Sequence, residues 1–145
     1  MSRPRARPRV TDGRAPRETQ RGEGPAEMAT LFAAEYARIA RDVYGGALPP
    51  FPGVEIVDRR DVFSETTTRG RGRWRALEPF VLSKHARGEL LLEAIRHEIA
   101  HAAALLFDED EGHGPAWREH ARRCGARDLP TLDEGDALRR EWDGT

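Results

Sequence analysis

The sequence has very little cysteine, lysine or tyrosine: Cys124 and Lys84 stand alone, and there are two tyrosines among 145 residues. A lone cysteine excludes an intramolecular disulfide framework, a four-cysteine zinc ribbon and a CxxC redox pair. No stretch approaches the ~18 consecutive apolar residues of a membrane span, and no apolar segment of signal-peptide type follows the first methionine. The expectation is a soluble protein in a reducing, cytoplasmic setting, without membrane contact. Hydrophobic residues make up 38% and charged residues 34%, with a mean hydropathy of −0.72. A chain this polar carries segments outside any core, and its length suits one compact domain rather than two.

The formal charge of −1 hides an asymmetry. Residues 1–22 hold seven arginines against Asp12 and Glu18, a net of +5, while the remaining 17 basic and 23 acidic groups give a net of −6. Residues 1–24 interleave Arg, Pro, Gly and polar residues with Val10 as the one bulky aliphatic after Met1. Such a segment cannot bury enough surface to offset the entropy of ordering, so a disordered arm is expected there. It could bind phosphates electrostatically or act as a solubilising tail. A single domain is expected over 25–145.

Beyond Pro25 the pattern becomes periodic. Met28, Leu31, Phe32, Tyr36, Ile39 and Val43 predict an amphipathic helix over about 26–44, stopped by Gly45 and Gly46. Val54 to Val57 alternates as a strand. Arg71 to Ala76 around Trp74 and Pro79 to Ser83 are two further strand candidates, with Thr66 to Gly70 either strand or turn. A small antiparallel sheet is the economical reading. Leu91, Ile95, Ile99, Ala102, Leu105 and Leu106 then predict a long helix from Glu89 to Phe107, followed by a solvated acidic loop, Asp108 to Glu111. Pro115 and Gly125 suit the start and stop of a next helix, on which Trp117, Ala121 and Cys124 share a face. Leu138 and Trp142 could mark a short docking helix in the tail. The expected class is α+β: a small antiparallel sheet packed with the long helix and two or three others.

That long helix contains His97-Glu98-Ile99-Ala100-His101, an HExxH string. At i and i+4 two imidazoles project from one helix face, only about 40° apart around the axis, so both can ligate one ion. Glu98 is offset by about 100° from His97 and can reach metal-bound water without becoming a ligand. The chemistry needs these roles separated: zinc acidifies water and polarises a carbonyl, and the carboxylate carries the proton.

A catalytic zinc takes three protein ligands and keeps one position open. The extended pattern HExxHxxGxxH fails, because Ala104 and Phe107 occupy its glycine and histidine positions. His113 is the leading third ligand, since glycines flank it at a loop-to-helix junction in Gly112-His113-Gly114-Pro115. His120 is the fallback, and Glu119, Glu134 or Glu141 would serve in a glutamate-ligated site. His85 reads as a surface residue and Cys124 as a small buried one, without an evident base to make it a nucleophile.

His97-Glu98-Ile99-Ala100-His101-Ala102, a short acidic loop, then Gly112-His113-Gly114-Pro115-Ala116-Trp117 resemble the SprT-like (SprT/Spartan-type) metalloprotease domain. The likeness extends upstream to Leu48–Val57 and to Phe80-Val81-Leu82-Ser83, covering roughly 28–127. It implies a zincin-like fold, Zn²⁺ held by His97, His101 and His113, and Glu98 as the catalytic base of an endopeptidase. The family includes proteases that degrade proteins crosslinked to DNA, which implies a substrate class of DNA-bound or DNA-crosslinked proteins. A C-terminal cysteine zinc ribbon, common among relatives, cannot be built from one cysteine. DNA contact would rest on the arginine arm and on Arg69, Arg71, Arg73 and Arg75, with Trp74 able to stack on an unpaired base. The same cluster also reads as an edge strand protected by charge, with Trp74 turned inward. A rival reading from another class is a non-catalytic zinc module that binds nucleic acid or a transcription or repair partner. A closed structural site would take a fourth ligand and have no use for Glu98.

Overall fold

The computed structural model describes residues 24–61 and 64–126. The arginine-rich arm and the tail with Leu138 and Trp142 lie outside the described residues. Helix α1 (Pro25–Asp42) is followed by strand β1 (Val54–Val57), strands β2 (Ser64–Glu65) and β3 (Thr68–Arg69), and a 3₁₀ turn at Gly72–Trp74. Strands β4 (Ala76–Leu77) and β5 (Phe80–Ser83) lead into helix α2 (Gly88–Asp108), and helix α3 (Pro115–Cys124) completes the described fold. The class is α+β. No helix among the described residues is long and apolar enough to cross a membrane.

The helices begin and end where their residues dictate. Pro25 and Pro115 open α1 and α3, where a missing N–H costs nothing and the fixed φ suits a first turn. Past α1, the Gly46 N–H returns to the Ala40 carbonyl with Gly45 and Gly46 both at positive φ. Gly125 closes α3 at φ 85°, a left-handed conformation that a side chain would strain.

The sheets depart from the antiparallel expectation. The main sheet runs β1-β5-β2, with β1 parallel to β5 (Val54 opposite Phe80, Ser83 opposite Val57) and β2 antiparallel to β5. Parallel neighbours need a crossover of a dozen residues or more, and 58–79 supplies one, part of it folded into the separate β3–β4 pair. The strand expected over Arg71–Ala76 shrinks to Ala76–Leu77. Gly70 and Gly72, both at positive φ, curl the chain between β3 and β4 into the 3₁₀ turn, and a Cβ on Gly70 would run into the carbonyl of Trp74. Trp74 therefore stands on the turn with 75% of its surface exposed, so it does not point into the core.

Two layers share one core. Phe32 of α1 meets Phe80 of β5 at 4.7 Å between ring centres, and Tyr36 and Phe51 close the cluster. The Tyr36 hydroxyl donates to the carbonyl of Pro49 at 2.7 Å, tying the proline segment to α1. Helix α2 passes through the middle, buried on most sides from Leu90 to Leu105. Its alanines, Ala100 and Ala102 to Ala104, are fully buried and leave room for neighbouring backbones to approach. Glu35 of α1 is buried and accepts from Arg38 and from Arg96 of α2, each at 2.7 Å. The Arg38 contact leads in holding the Glu35 carboxyl below the usual carboxylate range, with Arg96 adding to it. This bridge anchors α2 one residue before His97.

Replacing Phe80 by alanine deletes the ring that joins β5 to α1 and is predicted to cost about 3–5 kcal/mol. Equilibrium urea denaturation checks this, and a loss below about 1 kcal/mol would show that the aromatic cluster does not anchor the sheet.

Candidate metal centre

Helical periodicity on α2 sets His97 and His101 one above the other on the face turned towards α3. His113 arrives from the loop between the two helices. That loop turns at Glu109, the one described non-glycine residue with positive φ (53°). It is then held by Asp110, whose Oδ1 accepts from the Gly112 N–H at 2.9 Å and whose Oδ2 accepts from the Trp117 N–H at 3.3 Å. Gly114, the α3 N-cap, has no side chain to satisfy the first-turn donors, and Asp110 does so from four residues upstream. The acidic run read as a solvated loop thus contains the residue that orients His113. An acidic group shortly before a helix start was the available signal.

The three imidazoles meet at their Nε2 atoms. His101 and His113 lie 2.9 Å apart and His113 and His97 3.4 Å apart by those nitrogens, and one ligand atom from each falls within 4.8 Å of the others. Trp117, fully buried, lies against all three, with ring centres 4.8, 5.4 and 4.7 Å from His97, His101 and His113. His97 is buried whereas His101 and His113 are half-buried, so the cluster opens to solvent on one side.

This donor set fits a metal ion. Burial, reinforced by the neighbouring imidazoles, pushes His97 down to about 3 and His101 down to about 4, so both are neutral at physiological pH, the state a ligand needs. The Nε2 atoms of neutral His97 and His101 converge with that of His113, an arrangement that a cation can bridge. His97 Nδ1 is buried without a hydrogen-bond partner among the described residues. Among the described residues the group holds three histidines and no fourth ligand group.

Glu98 is not part of the histidine group, as its helical offset predicts. Its side chain is buried, with Oε2 accepting from Ser64 Oγ at 2.6 Å and Oε1 accepting from Thr66 Oγ1. Burial raises the Glu98 carboxyl to about 7, against the lowering effect of the two hydroxyls. The sequence around Thr66 suits either strand or turn, and nothing in its spacing marks Ser64 and Thr66 as partners of the carboxylate.

The remaining candidates lie elsewhere. His120 is not in the cluster: its Nδ1 lies 2.6 Å from the Tyr44 hydroxyl and its Nε2 2.7 Å from Asp108 Oδ2, fastening α3 to the ends of α1 and α2. Glu119 is exposed and paired with Arg122, while Glu134 and Glu141 lie outside the described residues. His85 is paired with Asp58 at 2.8 Å. Cys124 is buried, and burial pushes its thiol up to about 11, which keeps it protonated and unreactive.

Residues 50–134, more than half of the chain, match the family model described as SprT-like. The chain belongs to the SprT-like family. Both histidine segments of this SprT-like chain fall inside the matched region. No curated protein and no solved structure matches the chain.

Zinc added to metal-free protein is predicted to raise the melting temperature and to change tryptophan emission through Trp117. His113→Ala should lose both responses at concentrations that saturate the wild type, and unchanged responses would remove His113 from the ligand set. Acid should also destabilise the metal-free protein. His97 and His101 are depressed below their unfolded value of 6.5, so stability present above that value is lost as pH falls towards 4. Glu98, raised from 4.5 to about 7, works oppositely as one group against two, so Glu98→Gln should steepen the fall in melting temperature between pH 7 and 5.

Proposed function

We propose that the protein is a zinc-dependent endopeptidase of zincin type, with His97, His101 and His113 as metal ligands and Glu98 as general base. The observation that carries the reading is the division of roles on one helix. Three imidazoles converge, with His97 and His101 held neutral by burial, while the adjacent carboxylate lies outside the described ligand group, hydrogen-bonded and poised near neutral pH. When bound, zinc lowers the pKa of a coordinated water towards ~7 and polarises a scissile carbonyl. Glu98 takes the proton and delivers it to the leaving amine, a task suited to a group whose pKa lies near the working pH. Strand β2 lies at the edge of the sheet order β1-β5-β2, beside the base through Ser64, which supports binding of an extended substrate along that edge. The absence of a fourth ligand from the described cluster favours the enzyme over the non-catalytic zinc module.

The finer reading takes DNA-bound or DNA-crosslinked proteins as substrates, with the arginine arm and the β3–β4 turn in contact with nucleic acid. Trp74 and Arg69, Arg71 and Arg73 are exposed there, and the Arg73 guanidinium lies 5.1 Å from the centre of the indole ring. An exposed indole flanked by cations suits base stacking on a single strand. Arg75 contributes less, being half-buried with its Nη1 donating to Thr68 Oγ1 at 2.9 Å. The Tyr36 and Tyr44 hydroxyls are both engaged, with the Pro49 carbonyl and with His120 respectively.

Cleavage of a basic DNA-binding protein by zinc-loaded enzyme, with and without single-stranded DNA, tests both levels. Glu98→Gln is predicted to lower the rate by about 10²–10⁴-fold. Trp74→Ala should weaken single-strand binding by about 1–3 kcal/mol and reduce only the DNA-stimulated part of the rate. DNA-independent cleavage would keep the peptidase and remove the nucleic-acid reading. No cleavage by verified zinc-loaded protein would transfer the site to a binding role.

A further inference from the structure

We propose that Ser64 and Thr66 are positioning residues for Glu98, hydroxyls on the sheet edge that fix where its carboxylate can point. The inference rests on the assignment of Glu98 as the base. It starts from the depth of that carboxylate: Glu98 is 5% exposed, so water has little access to its oxygens and protein donors must hold them. Each oxygen has one protein donor. Ser64 Oγ donates to Oε2 at 2.6 Å, and Thr66 Oγ1 lies against Oε1 and, at 3.1 Å, against the Glu98 backbone carbonyl. A hydroxyl carries one proton, so Thr66 donates along its shorter contact, to Oε1.

The origin of the two donors gives the contact its consequence. Ser64 belongs to β2 and Thr66 follows directly after it, both separated from Glu98 by more than thirty positions in the chain. Ser64 is in register with Leu82 and Glu65 with Val81, so pairing with β5 fixes Ser64 directly and Thr66 through its neighbour Glu65. The carboxylate is thus attached to the same edge along which an extended substrate would lie. Two hydroxyls restrict the rotation of the Glu98 side chain yet leave each oxygen a second lone pair that can take a proton. A carboxylate on a long side chain would otherwise sample several rotamers, and a base held in one of them needs no reorganisation when its proton arrives.

Steady-state cleavage by zinc-loaded wild type, Ser64→Ala, Thr66→Val, the double variant and Thr66→Ser tests the inference. Metal content and melting temperature are measured on each preparation. Partners of this kind around metal sites typically affect activity by about 10–100-fold. The expected result is a fall of that size in kcat for the double variant, with KM and zinc content unchanged, and recovery of most of the rate in Thr66→Ser, which restores the hydroxyl. A merely structural role would lower the melting temperature or the zinc content without a selective loss of kcat. That result, or a double variant within twofold of wild type, would overturn the proposal. Failure of the peptidase reading is visible separately, as a wild type that cleaves nothing faster than Glu98→Gln, and it overturns this inference too because no base would then need positioning. If Thr66→Val does not fold, Thr66→Ala removes the same hydroxyl and, combined with Ser64→Ala, gives the same kcat comparison.

Discussion

The structure depends on the burial of Trp117 at the crossing of α2 and α3. Its ring lies within about 5.4 Å of all three imidazoles and is fully shielded from water. A large rigid aromatic at a helix crossing sets both the separation of the helices and the directions in which side chains can turn. With that ring in place, the face of α2 carrying His97 and His101 can look only towards the loop that delivers His113. The loop in turn is fixed by Asp110 at the N-terminus of α3 and by the His120–Asp108 contact at the C-terminus of α2. Packing comes first, and the ligand geometry follows from it.

Burial then acts with opposite sign on the two kinds of titratable group. Desolvation disfavours charge, so it holds His97 and His101 neutral and raises the neighbouring carboxyl. Both shifts suit the proposed metal-assisted proton transfer, which calls for ligands that do not compete with protons and a base near neutrality. Elsewhere the same environment is offset by pairing: Glu35 stays ionised because Arg38 and Arg96 surround it. Glu98 has hydroxyl partners in place of cations, and its carboxyl is accordingly raised rather than lowered.

Much of the site was legible because helical periodicity is a local property. The i, i+4 spacing of His97 and His101 and the apolar residues around them place two ligands on a helix without knowledge of any neighbour. Punctuation was equally readable: Gly112-His113-Gly114-Pro115 marks a loop delivering a side chain at a helix start. The sheet was less legible. Strands of two residues carry no usable alternation, and whether β1 lies parallel or antiparallel to β5 is decided by a crossover that brings together residues far apart in the chain. Trp74 illustrates the limit. An alternating Arg-Gly-Arg-Gly-Arg-Trp-Arg run reads as a strand, but two glycines at positive φ turn it into a tight exposed turn.

By itself, the sequence determined the long helix, its two histidines and adjacent carboxylate, the third histidine at the next helix start, and the SprT-like resemblance. These rest on spacing within one element or at its ends, where side-chain directions follow from backbone geometry alone. Only the tertiary structure decided that His120 faces Tyr44 and Asp108 instead of the histidine cluster, that Asp110 orients the His113 loop, and that Ser64 and Thr66 hold the Glu98 carboxylate. Each of those contacts joins different elements or bridges a turn. Their partners are chosen by how the helices and sheet pack, and no periodicity within one segment encodes that choice.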